Sequence, residues 1–217
     1  MDHLYEKRNI LLSNNLVIID YKMGNLRSVQ KAFEKVGVDA IISHDHKTIL
    51  KASKLVLPGV GAFKDGMKYL QELGLIEILN KKVIEEKTPL LGICLGMQLL
   101  AKKSTENGET LGLGFIDAEV VKFKFDVKHL KIPHVGWNEI SYQKEKSNLF
   151  KDIENRKDFY FVHSYYFKPN EEVTIATTNY GFEFTSAIAK NNIFATQFHP
   201  EKSQSDGLQM LKNFWEI

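Results

Sequence analysis

Between residues 16 and 93, four short apolar runs alternate with stretches of helical periodicity: Leu16 to Asp20, Val38 to Ile42, Lys54 to Leu57 and Leu90 to Ile93. Leu26, Val29, Phe33 and Val36 recur at spacings of three and four, which gathers them on one face and predicts an amphipathic helix ending near Gly37. A second helical stretch is expected from about Asp65 to Glu86, with a break at Gly74. Strands separated by helices cannot close as hairpins, so this rhythm demands parallel βαβ units and an α/β sheet.

After Gly114 the pattern becomes β-rich: Ala118 to Phe123, Val135 to Ile140, Phe159 to Phe167, Val173 to Thr178, Phe184 to Ala189 and Ile193 to Phe198. Turn-forming residues between several of these runs predict hairpins that extend or cover the sheet. Leu208, Leu211 and Trp215 share one face of a closing helix. The expected fold is a mostly parallel central sheet flanked by helices, with an added antiparallel β-rich part. With no Gly/Ser/Pro-rich linker and no internal repeat, residues 16–217 read as one domain, and residues 1–15 as an N-terminal extension.

The charges nearly cancel, 29 basic against 27 acidic residues for a net +2, and no block of five or more like charges occurs, so a nucleic-acid partner is not expected. No apolar run approaches the roughly 18 residues of a membrane span. The patch Ile10 to Leu12 is too short for the core of a signal peptide, which predicts a cytoplasmic protein. A single cysteine, Cys94, forms no internal disulfide and leaves no cysteine cluster for a metal, so neither metal nor cofactor is expected and any special chemistry rests on one thiol.

That thiol stands in Gly92-Ile93-Cys94-Leu95-Gly96, between an apolar strand and a helix that begins at Leu95. The pattern is the thiol version of a nucleophile elbow, whose tight strand-to-helix turn brings backbone segments so close that side chains at the flanking positions would clash. The turn lifts the central residue to the carboxyl end of the sheet, where unpaired N–H groups favour a thiolate. A lone cysteine is commonly an inert small hydrophobe. Glycines at both elbow positions favour the reactive reading.

A nucleophilic cysteine needs a base, and the base an orienting partner. His3, His44, His46 and His129 lie in polar stretches and read as surface residues, whereas His134 and His163 read as core or interface residues. His199 directly follows the last apolar run, is fixed by Pro200 and is trailed by Glu201, so an imidazole and a carboxylate leave one strand end together. Cys94, His199 and Glu201 form a coherent triad.

These segments resemble class I glutamine amidotransferases. The likeness runs from Leu16 to the C-terminus through Pro58-Gly59-Val60-Gly61-Ala62-Phe63, Gly92-Ile93-Cys94-Leu95-Gly96-Met97-Gln98-Leu99 and Gln197-Phe198-His199-Pro200-Glu201. Pro133 to Asn138, Phe161 to Tyr165 and Glu201-Lys202-Ser203 are similar to the branch that serves as glutaminase subunit of imidazole glycerol phosphate synthase. The resemblance implies that Cys94 attacks the glutamine amide, that His199 moves the proton and that Glu201 holds the imidazole. It implies oxyanion donors around Gly59 and Leu95, and glutamine contacts at Gly61, Gln98, Ser164 and Tyr165. It also implies a heterodimer with a (β/α)8 barrel cyclase that receives the ammonia, with exposed residues near Pro133 to Trp137 in the interface.

One position departs from that pattern. The first βα turn reads Asp20-Tyr21-Lys22-Met23-Gly24-Asn25, with Lys22 where the family usually has glycine. This leaves open a paralogous subunit feeding ammonia to another synthase, such as one aminating a surface sugar, and does not affect the glutaminase chemistry. Separate rival readings are a stand-alone γ-glutamyl hydrolase and an interaction protein that keeps the fold without the chemistry, against which the intact Cys94, His199 and Glu201 weigh.

Overall fold

The computed structural model describes residues 15–124 and 130–217; the extension at residues 1–14, with His3, and residues 125–129, with His129, lie outside the described residues. Strands β1 (Leu16–Ile19), β2 (Ala40–Ser43), β3 (Lys54–Gly59) and β4 (Leu90–Cys94) are parallel, and β14 (Ile193–Thr196) continues the parallel set beside β4. The eight-stranded sheet runs β2-β1-β3-β4-β14-β13-β12-β9, the last three being antiparallel additions: β13 (Glu183–Lys190), β12 (Thr174–Asn179) and β9 (Ser141–Tyr142).

Helix α1 (Leu26–Lys35) buries Val29, Ala32 and Phe33, and the Asn25 side chain caps it by accepting from Ser28 N. Next come α2 (His46–Leu50), α3 (Phe63–Glu72) and α4 (Leu75–Leu79). The helical stretch towards Glu86 breaks at Gly74, as expected, where φ is +64°, and it closes in a π-helical segment, Asn80–Glu85. Helix α5 (Leu95–Leu99) follows β4 without an intervening loop, and α6 (Gln204–Glu216) closes the chain. On α6 the fully buried face is Gly207, Met210, Leu211 and Phe214, with Leu208 and Trp215 half-buried beside it, a rotation of the face expected from sequence.

Alternate residues of β1 serve opposite layers. Leu16 and Ile18 pack with Phe33, Phe194 and Phe214 towards α1 and α6, while Val17 and Ile19 pack with Ile49, Leu70 and Leu79 towards α2, α3 and α4. A strand with both faces covered must be apolar throughout, which is why the sequence Leu-Val-Ile-Ile shows no alternation.

The remaining strands form two small sheets. One pairs β8 (His134–Glu139) with β10 (Asp158–His163), and the other runs β11-β7-β5-β6, with β11 at Tyr165–Pro169, β7 at Ala118–Lys122, β5 at Lys103–Ser104 and β6 at Thr110–Leu111. Residues 159–167, expected as one strand, are thus two strands in different sheets. The chain breaks at Ser164, whose carbonyl accepts from Phe123 N, while the His163 ring bonds the Tyr165 carbonyl two residues on.

Candidate active site

The parallel register of β3 and β4 ends with Gly59 opposite Cys94, so two expected site residues meet at the carboxyl edge of the sheet. Cys94 has φ +55°, a left-handed conformation that a non-glycine residue adopts only under constraint from its surroundings. The elbow explains its flanking glycines: a Cβ on Gly96 would lie 1.7 Å from the Leu57 carbonyl oxygen, and one on Gly92 would lie 3.0 Å from the Gly96 carbonyl oxygen. Helix α5, which starts directly after Cys94, spans only five residues.

His199 and Glu201 leave β14 together. The imidazole Nδ1 lies 2.8 Å from Glu201 Oε1, and both side chains are 2% exposed. The His199 backbone is fixed from both directions: its N–H donates to Tyr160 O, and its carbonyl accepts from Ser203 Oγ at 2.7 Å. Burial works against a charged imidazole here, yet charge and hydrogen bonding from Cys94 and then from Glu201 outweigh it and push His199 up to about 10. Its Nε2 is buried and makes no hydrogen bond among the described residues.

A cavity of about 290 Å³ opens over the thiol, and Gly61, Cys94, Leu95, Gln98, Ser164 and Tyr165 all line it. Gly59, His199 and Glu201 stand behind this wall. Two further lining residues were not among the expected glutamine contacts: Glu106, which the sequence did not mark, and His163, expected as a core or interface residue. Glu106 follows a short strand in an ordinary polar turn, yet its carboxylate accepts from Phe63 N at 2.7 Å and faces the cavity. Burial, and then the charge of Glu106, raise the Tyr165 phenol above its ordinary value. His163, which lines the cavity as well, bonds through Nε2 to His134 Nδ1 at 3.1 Å.

Beneath the thiol, Gln98 Nε2 donates to the Tyr165 carbonyl and to Gln197 Oε1, each at 3.0 Å, and Gln197 Nε2 lies 3.7 Å from Cys94 Sγ. Tyr21 is fully buried, and its hydroxyl has no hydrogen-bond partner among the described residues. Burial, with a further push from the negative charge of Cys94, holds this phenol in its neutral form. A Cβ on Gly59 would come within 2.1 Å of that hydroxyl and 2.9 Å of Leu95 Cβ, which is why the position holds glycine.

Lys22 has φ +65°, so the family's usual glycine at this turn answers a backbone requirement that lysine meets with some strain. Its ammonium lies 5.3 Å from the centre of the Tyr69 ring, outside the cavity. His44 and His46 are exposed as expected, the second bonding the Leu73 carbonyl through Nε2 at 2.8 Å. Among the described residues, no group of three or more His, Cys, Asp or Glu is placed to hold a metal, and no helix is long and apolar enough to cross a membrane.

Comparison with known proteins agrees with this geometry. The family described as glutamine amidotransferase class-I matches residues 17–217. The chain is 54% identical over 199 residues to imidazole glycerol phosphate synthase subunit HisH 1 of Campylobacter jejuni strain RM1221, covering 92% of this chain and 98% of the relative. It is 54% identical over 200 residues to subunit HisH 2 of the same synthase in Methanococcus maripaludis, with coverage of 92% and 98%. Among solved structures, PurLQS from Thermotoga maritima shares the fold with a TM-score of 0.73 at 16% identity, over 94% of this chain and 98% of that one. A match spanning both the elbow at Cys94 and the His199–Glu201 pair, together with relatives of this identity, establishes that the chain belongs to the class-I glutamine amidotransferase family.

Proposed function

We propose that this amidotransferase is the glutaminase subunit of an imidazole glycerol phosphate synthase in histidine biosynthesis, hydrolysing glutamine and passing ammonia to a (β/α)8 barrel cyclase. The observation that carries the chemistry is the pairing of a strained Cys94 with a buried His199 whose imidazole is held 2.8 Å from Glu201. The pathway rests on the relatives of 54% identity that bear the synthase subunit's name.

In the proposed reaction, glutamine enters the cavity with its α-ammonium towards Glu106 and its side-chain amide over Cys94. The thiolate attacks the amide carbon, and the oxygen of the tetrahedral intermediate takes N–H groups around Gly59 and Leu95, where one donor is worth about 10²-fold or more in rate. His199 already holds its proton at neutral pH and gives it to the departing nitrogen as the C–N bond breaks. Ammonia and a γ-glutamyl thioester result. The neutral imidazole then takes a proton from water, hydroxide attacks the thioester carbon, and C–S cleavage releases glutamate and restores the thiolate.

Docking is proposed on the face of β8. Val135 and Trp137 are 54% and 48% exposed there, Trp137 packs edge-on to Tyr160 with ring centres 6.1 Å apart, and the Lys202 ammonium lies 5.6 Å from the Tyr160 ring. Aromatic and aliphatic groups left in water beside a cation–π pair suit a heterodimer interface. The test compares glutamate release by the chain alone, with the cyclase, and with cyclase plus acceptor. A rise of about a thousandfold needs only about 4 kcal/mol of differential stabilisation, within reach of an interface. Equal, fast rates in all three conditions contradict the coupled subunit and favour a free hydrolase; stimulation by another synthase and not by the cyclase places the chain in a different pathway.

A further inference from the structure

We infer that His134 and His163 form a hydrogen-bond relay of fixed polarity which positions the Tyr165 carbonyl and the Gln98 amide for glutamine, and that Asn138 sets this polarity from the outside; the inference rests on the glutaminase reading. Each end of the relay dictates where the protons lie. Asn138 Oδ1 accepts from Glu139 N at 2.9 Å, which fixes the amide's orientation, so Nδ2 donates to the Asn179 carbonyl at 3.0 Å and to His134 Nε2 at 3.2 Å. A neutral His134 then carries its proton on Nδ1 and donates to His163 Nε2 at 3.1 Å. At the other end a carbonyl can only accept, so His163 carries its proton on Nδ1 and donates to Tyr165 O at 2.8 Å. Both ends demand the same direction.

The Tyr165 carbonyl takes its second hydrogen bond from Gln98 Nε2, whose other hydrogen goes to Gln197. Both amide hydrogens are spent inside the protein, which leaves Gln98 Oε1 as the acceptor available to a ligand in the cavity. The relay is held rigidly: His134 lies between Phe161 and Tyr180, with ring centres 4.8 and 3.9 Å away and each pair 20° from parallel. A proton added to either imidazole would set two N–H groups face to face, and burial already resists it, holding His134 at about 4 and His163 at about 3. The titratable groups that face the pair are Tyr180, stacked on His134, and His199, whose charge opposes protonation of His163.

Asn138→Asp tests the relay without touching the cavity wall. A carboxylate of the same shape only accepts, so His134 must present Nε2–H to it, the relay inverts, and a bare His163 Nδ1 lone pair meets the Tyr165 carbonyl. A proton on one imidazole is the only repair. Calorimetric glutamine binding to the Cys94→Ala chain should therefore weaken at least about tenfold on adding Asn138→Asp at about pH 8, the factor that one lost hydrogen bond commands, and recover towards about pH 6. Without Asn138→Asp the affinity should be flat over that range. On the unaltered chain, nitrogen NMR of the imidazoles should find both histidines neutral with Nδ1–H, a measurement that needs no variant to fold and no glutamine to turn over. An Nε2–H tautomer at either ring, or weakening in Asn138→Asp that ignores pH, overturns the relay. Absence of glutamine hydrolysis by the unaltered complex indicts the glutaminase reading instead.

Discussion

The hydroxyl of Tyr21 faces Gly59 so closely that a methyl group there would lie 2.1 Å from the oxygen, although that hydroxyl bonds to nothing among the described residues. Gly59→Ala should therefore push the Pro58–Gly61 loop out of position, at an overpacking cost of about 1–3 kcal/mol. Glutamate release should fall by about 10² or more if oxyanion donors are displaced. Adding Tyr21→Phe removes the oxygen that the methyl meets and should return part of both losses, read as a double-mutant cycle.

Tyr21→Phe alone should leave the folded chain as stable as the parent or up to about 1 kcal/mol more stable, because it deletes a buried donor that has no acceptor. Urea unfolding measures this. A loss of stability would mean that the hydroxyl finds a partner in the folded chain.

The raised value of His199 gives a signed pH dependence. Its pairing contributes stability that is present in full below the ordinary 6.5 and is lost as pH rises through about 10. Cys94 acts on the imidazole more strongly than Glu201, so Cys94→Ala should lower the His199 titration further than Glu201→Gln does, followed by NMR. In turnover the order differs: His199→Ala removes proton transfer outright, whereas Glu201→Ala leaves a misaligned ring that still titrates, so the first should cost more.

His134 and His163 act at the acid end with the opposite sign. Both are held neutral by burial, so the stability associated with them is present above the ordinary 6.5 and is lost as pH falls through about 4 and then about 3. Denaturant unfolding from neutral to acid pH should show this loss, reduced in a folded His134→Gln variant.

The fold was legible where a single period governed a segment. Buried β1 and the amphipathic face of Val29 and Phe33 could be assigned because burial on two faces and burial on one face leave different patterns. The break at Ser164 was not legible, since the run from Phe159 to Phe167 keeps its apolar character while its halves pair with β8 and β7 in different sheets. In the site, Cys94 was marked by its glycines, and His199 and Glu201 by lying two residues apart around Pro200. Glu106 carried no such local mark, and Gln197, His134 and His163 stood in family-like runs that assigned them no partner. Their partners stand 43, 99 and 29 residues away, so only the folded chain brings them together. Lys22 shows the reverse: its departure from the family pattern drew notice in the sequence, and the backbone accommodates it at φ +65° away from the cavity.

The most direct test of the proposed chemistry is rapid quenching of the chain with its cyclase, acceptor and glutamine, followed by intact and peptide mass measurement. The expected result is a γ-glutamyl adduct on the peptide that carries Cys94, absent in the Cys94→Ala chain, which should remain folded and release no glutamate. Glutamate release by Cys94→Ala within a few-fold of the parent rate, or an adduct on any other residue, would contradict Cys94 as the nucleophile.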